Sequence, residues 1–241
     1  MTAELVAVNN ELHKNTKIKR NTTYENAKET HLCLLQIHEM VKMSSEYPMV
    51  FVKDPDSGEF RAVVMLGLVP NENLYYDTEK WQADYVPSAV RLHPFGLMPS
   101  SSDPQQLSLC LNMSSELVNE DEGVSLFNEQ GEDSDYLKSV KEFVGTLHNQ
   151  TPVTVEFVKH LTELNLLSQQ QLTVNIGEEN KPLTVDGIYT VNTETLEKLD
   201  DEAFLELRKR SYLPVIYAHL SSLGQVGKLA VRKAQKEAAA S

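Results

Sequence analysis

The sequence predicts an α+β fold with a mainly antiparallel sheet. Two pairs of apolar, β-branched runs each flank a short turn, which indicates β-hairpins over about residues 47–68 and 172–191. Apolar residues at three- and four-residue spacing indicate a helical hairpin over 134–166 and a C-terminal helical segment over 193–228. Because strands and helices come in separate blocks, without regular βαβ alternation, we expect the hairpins to pack against the helices in an α+β arrangement.

Three parts are expected along the 241-residue chain. Residues 1–30 form a polar N-terminal arm, in which Leu5 to Val8 is apolar enough to add a strand. Residues 31–228 form a single α+β domain, and residues 229–241 form an Ala/Lys-rich tail that can coil but buries little. A chain of this length buries about 70% of its unfolded surface, so it is expected to fold without metals or disulfides.

Local signals place the elements of the first half. Gln36 to Ser45 predicts a short helix, which ends before Pro48 because proline disfavours a helical residue ahead of it. The first hairpin turns at Asp54 to Gly58, where Pro, Asp, Ser and Gly each favour a reversal. Leu107 to Met113 predicts another strand, and the turn-rich acidic segment that follows, up to Ser134, is the best candidate for a mobile loop.

The second half carries stronger helix signals. Ser134 can cap one helix, and the order Thr151-Pro152 is typical of the start of another, with Val153 on its inward face. The second β-hairpin is expected to turn at residues 177–181. The C-terminal segment presents an apolar side made of Leu213, Ile216, Tyr217, Leu220 and Leu223.

The net charge of −13 is unevenly distributed. Acidic residues accumulate between Arg91 and Lys138, a stretch without Lys or Arg, whereas the chain after about Arg208 is basic. A net acidic chain without a basic groove signal argues against nucleic acid as a partner. The acidic and basic regions either attract each other, within the fold or between protomers, or stay solvated.

The apolar stretches, the N-terminus and the cysteines indicate where in the cell the protein is expected. The longest apolar stretches fall far short of the ~20 residues that a membrane-spanning helix needs, so no membrane span is expected. The N-terminus lacks the basic start and apolar core of a secretory signal, and Cys33 and Cys110 lie far apart in apolar surroundings typical of free thiols. A cytoplasmic protein is expected, and the alternative is a cell-surface protein exported without such a signal.

A series of short motifs covers most of the chain and occurs in a fixed order. They are Tyr47-Pro48, Lys53-Asp54, Gly58-Glu59-Phe60, Leu66-Gly67-Leu68, Glu72-Asn73-Leu74, Trp81, Tyr85-Val86-Pro87, Pro94-Phe95, Leu126-Phe127-Asn128-Glu129, Gly187-Ile188-Tyr189-Thr190-Val191 and Ile216-Tyr217-Ala218-His219-Leu220. In order and spacing they resemble the bacterial SapC-like family, with a weaker echo at Asn10 to His13. The chain departs from the family pattern at Leu92 and His93, so chemistry common to the family should not depend on His93.

The resemblance implies a family that is defined by sequence and named for association with bacterial surface layers, without an established activity. In this family the genes occur beside those for flavin-dependent tryptophan halogenase-like proteins and outer-membrane receptors, and this association implies the halogenase-like enzymes as partners. Peptide-transporter permeases that share the name are excluded, because the apolar stretches of this chain are too short to span a membrane.

Five residues are the candidates for a binding site: Trp81, Tyr85, Arg91, Tyr217 and His219. The alternative is that they cap the sheet, fill its edge and satisfy backbone groups in the core.

The Asp54 turn departs from a calcium loop, since Glu59 and Met65 stand where that loop requires Gly and Glu. No Walker loop, GxSxG elbow or CxxC motif is present, so no catalytic residue, metal or cofactor is expected.

Two functional hypotheses follow. The first is a non-catalytic accessory or interaction protein inside the cell that binds a protein partner or forms a homodimer, with a surface-layer-associated protein as a variant. The second is a small-molecule or peptide-binding protein, or an uncharacterised enzyme. Its pocket would lie between the first hairpin and the C-terminal helix, where Trp81, Tyr85, Arg91 and His219 would converge.

Overall fold

The computed structural model describes residues 4–100, 106–177 and 181–240. Within them the chain forms helices and three antiparallel sheets, which confirms the α+β class. The elements of the first half are β1 (Leu5–Ala7), β2 (Lys17–Ile18), β3 (Leu32–Leu34), α1 (Ile37–Met43), β4 (Met49–Lys53), β5 (Phe60–Met65), α2 (Ser88–Arg91), β6 (Phe95–Pro99), β7 (Leu107–Asn112), β8 (Val118–Asn119) and β9 (Val124–Ser125). Those of the second half are α3 (Asp135–Glu163), β10 (Leu167–Ile176), β11 (Lys181–Val191), α4 (Thr193–Glu197), α5 (Asp201–Lys209), α6 (Tyr212–Ser222) and α7 (Val226–Ala240).

The main sheet has five strands in the order β10-β11-β4-β5-β3. It contains both predicted hairpins, β4–β5 and β10–β11, joined where Ile188 pairs with Val52 and Tyr189 pairs with Phe51. Residues 178–180 of the second predicted turn lie outside the described residues. The long-range pairing of β11 with β4 makes one sheet of two hairpins that are far apart in sequence.

The first hairpin turns as its residues predict. The side chain of Asp54 accepts hydrogen bonds from the backbone N–H groups of Asp56 (3.1 Å) and Ser57 (2.9 Å). Gly58 then adopts a φ of 71°, a conformation that residues with a side chain rarely adopt. Backbone and side chain together close the turn.

The expected helical hairpin over 134–166 is wrong, because α3 is one continuous helix of 29 residues with Pro152 inside it. Proline removes one backbone donor, which leaves the carbonyl of His148 without its helical partner. Both residues lie on the exposed side of α3, where solvent can replace that bond. Neither α3 nor any other helix in the described part of the chain is long and apolar enough to cross a membrane.

Tertiary packing explains why α3 continues. Leu137, near its start, belongs to a small core with Ile18, Phe95, Leu111, Leu126 and Phe127. Phe157, Val158 and Leu161, near its end, belong to the main core around the five-stranded sheet. Burial at both ends stabilises a single helix, whereas Val153, expected to face inward, is 44% exposed.

Two further three-stranded sheets border the small core, in the orders β1-β7-β6 and β8-β2-β9. The apolar segment near the N-terminus forms β1 as predicted, and it pairs with β7 from Leu5 opposite Asn112 to Ala7 opposite Cys110. The acidic segment after β7 supplies β8 and β9, which flank β2. The domain boundaries proposed after residues 30 and 228 stay predictions.

The C-terminal tail was expected to bury little, and the structure shows that this expectation is wrong. The tail is part of α7, in which Leu229 is fully buried and Ala230 is 8% exposed. Lys233 of α7 forms an ion pair with Glu72 (2.7 Å), and Lys236 donates to the carbonyl of Asn73 (3.1 Å). These contacts attach the basic end of the chain to the loop after β5.

Candidate functional site

An open groove with a volume of ≈ 670 Å³ lies between the first hairpin and the second half of α3. We call it the α3 groove. It is lined by Leu34, Leu35, Gln36, Lys53, Gly58, Glu59, Phe60, Arg61, Ala62, Thr151, Thr154, Val155, Val158, Lys159, Thr162 and Glu163. These residues come from three segments that are distant in sequence, so no local motif indicated the groove.

The floor of the groove is built by strand alternation. Phe60 and Ala62 lie two residues apart on β5 and therefore point to the same face of the sheet. Leu35, the residue directly after β3, lies beside them, because its N–H donates to the carbonyl of Ala62 (3.1 Å). Leu35 and Ala62 are almost fully buried, so the floor is apolar and fixed by the main core.

The helical wall follows the spacing of α3. Thr151, Val155, Lys159 and Glu163 recur every four residues along one side of the helix. Val155 is 58% exposed, and Val158 is buried against the floor. Thr154 attaches this wall to α1, because its hydroxyl accepts from the N–H of Ile37 (3.0 Å) and donates to Oε1 of Gln36 (2.9 Å).

One end of the groove lies at a sheet edge. In the described sheet, β3 pairs with β5 on one side and has no strand on the other. The N–H of Leu35 donates to the carbonyl of Ala62, so the backbone groups of Leu35 point towards β5. Backbone groups of successive residues in an antiparallel strand point to opposite sides, so the N–H and C=O of Leu34 point away from β5. The short helix α2 packs beside β3, yet the Leu34 side chain remains 51% exposed.

Charged side chains surround the apolar floor. Lys53, Arg61 and Lys159 are basic, and Glu59 and Glu163 are acidic. Arg61 pairs with Asp54 (3.0 Å), and Lys159 lies 3.8 Å from Glu163. The ammonium of Lys53 lies over the Phe60 ring, 5.7 Å from its centroid. The α3 groove therefore combines an apolar floor with a rim that carries one more positive than negative side chain.

Two of the predicted binding residues meet through Tyr47. Trp81 is buried, stacks on Tyr75 at 6.1 Å between ring centroids, and donates its Nε1–H to the Tyr47 hydroxyl (2.7 Å). That hydroxyl donates in turn to the backbone carbonyl of Tyr85 (2.5 Å). Burial raises the pKa of Tyr47, so the phenol keeps its proton. Trp81 thus lies within the core at this point.

The other three predicted residues lie elsewhere. Arg91 is exposed at the end of α2, where its guanidinium lies 4.3 Å from the centroid of the Phe143 ring. Tyr217 and His219 are two residues apart on α6 and face different surroundings, since Tyr217 is 51% exposed and His219 is fully buried. The five side chains are therefore not brought together in one open concavity.

His219 is part of a hydrogen-bonded connection between α6 and the main sheet. Its Nε2 accepts from the backbone N–H of Val191 (3.1 Å). Ser222 donates to the His219 carbonyl (2.6 Å) and accepts from the N–H of Met49 (3.0 Å). Burial lowers the pKa of His219 to about 4, so the imidazole is neutral near pH 7.

Glu39 was missed by the sequence analysis. It is 1% exposed, and its Oε1 accepts from the Tyr85 hydroxyl and from the N–H of Ser88, both at 2.9 Å. Its Oε2 accepts from the N–H of Gln36 (3.3 Å) in a capping box at the start of α1. The spacing Gln-x-x-Glu before an apolar stretch was the signal that could have indicated this carboxylate.

The remaining His, Cys, Asp and Glu side chains of the described residues were compared with the arrangement that a metal centre requires. Among residues 4–100, 106–177 and 181–240, no group of three or more His, Cys, Asp or Glu side chains is arranged to hold a metal ion. Cys33 and Cys110 are free and buried, and burial raises the pKa of the Cys33 thiol to about 12. A thiol of this kind is a poor nucleophile near neutral pH.

Comparison with known proteins gives one family match. A family model described as SapC matches residues 8–229. No curated protein and no solved structure matches the chain.

Proposed function

The chain belongs to the SapC family, and we propose that it is a non-catalytic binding protein whose α3 groove receives an extended, apolar segment of a partner protein. The observation that carries the proposal is the open apolar floor between β5 and α3, bordered by exposed Leu34 and Val155. Exposed aliphatic side chains on both sides of one groove favour an occupant that covers them.

The sheet edge favours an extended segment. Proteins recognise such segments by adding them to an exposed edge, where main-chain hydrogen bonds supply affinity and pockets for alternate side chains supply specificity. The N–H and C=O of Leu34 point outward at the edge of the sheet, beside the groove, and the C=O also accepts from the adjacent Cys33 thiol (3.7 Å). An exposed apolar edge also favours pairing with another chain, so covering it removes an aggregation risk.

The charges on the rim favour a segment that carries an acidic residue. The chain as a whole has a net charge of −13, yet the rim of this groove carries three basic side chains, Lys53, Arg61 and Lys159, and two acidic ones, Glu59 and Glu163. Lys53 lies over an aromatic ring in the described structure, which leaves its ammonium available to a carboxylate on the occupant. Charge complementarity of this kind supports selection of the partner and its rate of association.

The test uses a library of random peptides displayed on phage and selected on the full-length chain. Peptides recovered with an apolar centre are synthesised, and their affinity is measured by fluorescence anisotropy. Val155→Lys and Leu34→Lys should each weaken binding about tenfold or more, because each places a charge against the apolar floor. Val153→Lys is the matched control, since Val153 lies on the same helix, is 44% exposed and does not line the groove.

Three results would overturn the proposal. No peptide is selected, or selected peptides bind Val155→Lys and Val153→Lys equally well, or sedimentation shows a dimer that Val155→Lys alone dissociates. The last result would assign the groove to a second copy of this chain.

A small-molecule ligand is the second candidate for the same groove. Its volume of ≈ 670 Å³ lies within the range of about 300–1,000 Å³ typical of small-molecule sites. The test is a low-molecular-weight apolar compound that competes with the selected peptides and binds Val155→Lys weakly. Such a compound favours this candidate only if the peptides bind the groove far more weakly than the compound does.

A further inference from the structure

A second cavity, of ≈ 340 Å³, lies on a different part of the molecule from the α3 groove and shares no lining residue with it. We call it the arginine cavity. It lies among the end of β2, the end of α2, the segment around β8 and the start of β9, and the start of α3. Its lining residues are Ile18, Lys19, Arg20, Asn21, Tyr24, Arg91, His93, Pro94, Leu117, Gly123, Val124 and Tyr136.

The lining is one-sided in charge. It contains Lys19, Arg20, Arg91 and His93, and none of the described residues that line it is an Asp or a Glu. The charge of this lining is opposite in sign to the net charge of −13 of the chain. A cleft with side chains of one sign attracts ligands of the opposite sign.

The positive charge available to a ligand comes from the two arginines. Lys19 is already paired with Glu122, and the pKa of Lys19 is raised by that partner. His93 shares a hydrogen bond of 2.8 Å with the Ser115 hydroxyl, and burial lowers its pKa, which favours the neutral ring. Arg91 lies over the Phe143 ring, and within the described part of the chain neither Arg20 nor Arg91 forms an ion pair.

The rest of the lining is apolar or aromatic. Ile18 is 3% exposed and forms part of the small core, while Tyr24 and Tyr136 are half-buried. Burial raises the pKa of Tyr136, so its phenol is protonated and carries no charge that would repel an anion. A ligand that fits this lining therefore has an apolar body in addition to its charge.

From this combination we propose that the arginine cavity binds a small organic carboxylate, with its charge at Arg20 and Arg91 and its apolar body beside Tyr24 and Tyr136. The planar, forked guanidinium matches the two oxygens of a carboxylate. Glu116, Asp121 and Glu122 lie near Lys19 and offset part of the positive charge around the cavity, so the proposal commits to a singly charged anion.

The test titrates the full-length chain with 3-phenylpropionate and follows backbone amides by NMR. Matched probes are the uncharged alcohol 3-phenylpropanol, phenyl phosphate and inorganic phosphate. We expect 3-phenylpropionate to shift the amides of Gly123, Asn21 and Tyr24, and to bind more tightly than each of the other three probes. Arg20→Gln and Arg91→Gln should each weaken that binding about tenfold, the loss of one charge-assisted hydrogen-bond partner.

Two further variants give controls. Arg208→Gln removes an exposed arginine on α5 that lies outside the cavity, and it should bind as the wild type does. Arg91→Lys keeps the charge without the fork and should bind more tightly than Arg91→Gln. Because Arg91 also stacks on Phe143, the Arg20→Gln result stands as independent evidence if Arg91→Gln does not fold.

The proposal is overturned if 3-phenylpropionate shifts no lining amide at millimolar concentration, or if Arg20→Gln binds it as tightly as Arg208→Gln does. It is also overturned if phenyl phosphate binds more tightly than 3-phenylpropionate, which would assign the cavity to a phosphate ester. None of these results depends on the α3 groove, so this proposal and the proposed function fail or stand separately.

Discussion

The backbone N–H of Val191 donates a 3.1 Å hydrogen bond to Nε2 of His219 inside the main core. An imidazole nitrogen that accepts such a bond carries no proton, so the neutral ring holds its proton on Nδ1. His219 thereby joins α6 to the end of β11 only while it is uncharged. This relationship makes the stability of the fold depend on pH.

The unfolding free energy should fall as the pH is lowered from about 6.5 to about 4. The pKa of His219 is about 4 in the folded chain, and about 6.5 in an unfolded chain. Within that interval the unfolded chain binds the additional proton, so the loss reaches up to about 3 kcal/mol at the acid end. Urea unfolding across this pH range measures it.

Two variants isolate the contribution of His219. His219→Gln keeps an acceptor for Val191 but does not titrate, so its unfolding free energy should fall less than that of the wild type. His148→Gln changes an exposed histidine and should behave like the wild type. An equal fall in His219→Gln and His148→Gln would contradict the prediction.

Tyr47→Phe should destabilise the fold by about 1–3 kcal/mol, because it leaves the Trp81 Nε1–H and the Tyr85 carbonyl without their shared partner. Trp81 is the one tryptophan in the chain, so its fluorescence reports directly on this position during urea unfolding. Tyr217→Phe, at a tyrosine that is 51% exposed, is the control and should leave stability unchanged. Equal stability of both variants would argue against the hydrogen-bonded connection.

Glu39→Gln should cost about 2 kcal/mol, since an amide offers one acceptor oxygen and sets an N–H₂ group against a backbone N–H. The carboxylate accepts from Tyr85, Ser88 and Gln36, so no rotamer of Gln satisfies all three donors. Thermal and urea unfolding measure the loss against Glu29→Gln, a change at an exposed carboxylate. A loss of the same size in both variants would show that charge alone is responsible.

Leu229→Ala should destabilise the protein by about 2–5 kcal/mol, the usual effect of removing a large aliphatic side chain from a core. Leu229 is fully buried, whereas Val231, two residues later on α7, is 57% exposed. Val231→Ala is therefore the matched control, with an expected change near zero. If Leu229→Ala unfolds at the same urea concentration as the control, α7 does not pack on the main core in solution.

Local chemistry explains which elements the sequence predicted. The hairpin turn at Asp54 to Gly58 is determined by an Asp side chain that bonds its own backbone and by a residue with positive φ. Both signals lie within five residues, so they can be recognised without knowledge of the fold. The α+β class and both hairpins follow from signals of this kind.

The continuous course of α3 could not be predicted in the same way. Thr151-Pro152 is typical of a helix start, and a proline inside a helix costs about 3 kcal/mol in isolation. Burial of Phe157, Val158 and Leu161 beyond the proline outweighs that cost. Only the tertiary contacts at both ends of the helix contain this information.

The residues that line the candidate sites are brought together by long-range packing, so they were harder to predict from the sequence than α3. Arg91 was predicted as a binding residue and does line a cavity, but its neighbours there, Arg20 and Tyr136, come from distant segments. The expected association of Trp81, Tyr85, Arg91 and His219 assumed that motif residues face one cleft. The core instead encloses Trp81 and His219, where the indole N–H of Trp81 and Nε2 of His219 find hydrogen-bond partners.

The length of α3 also affects how the molecule loses its structure. Its first turns belong to the small core through Leu137, and its last turns belong to the main core through Phe157. Fraying this helix from either end removes packing that the other end needs in order to remain helical. We therefore expect the two apolar clusters to melt together, as one cooperative unit.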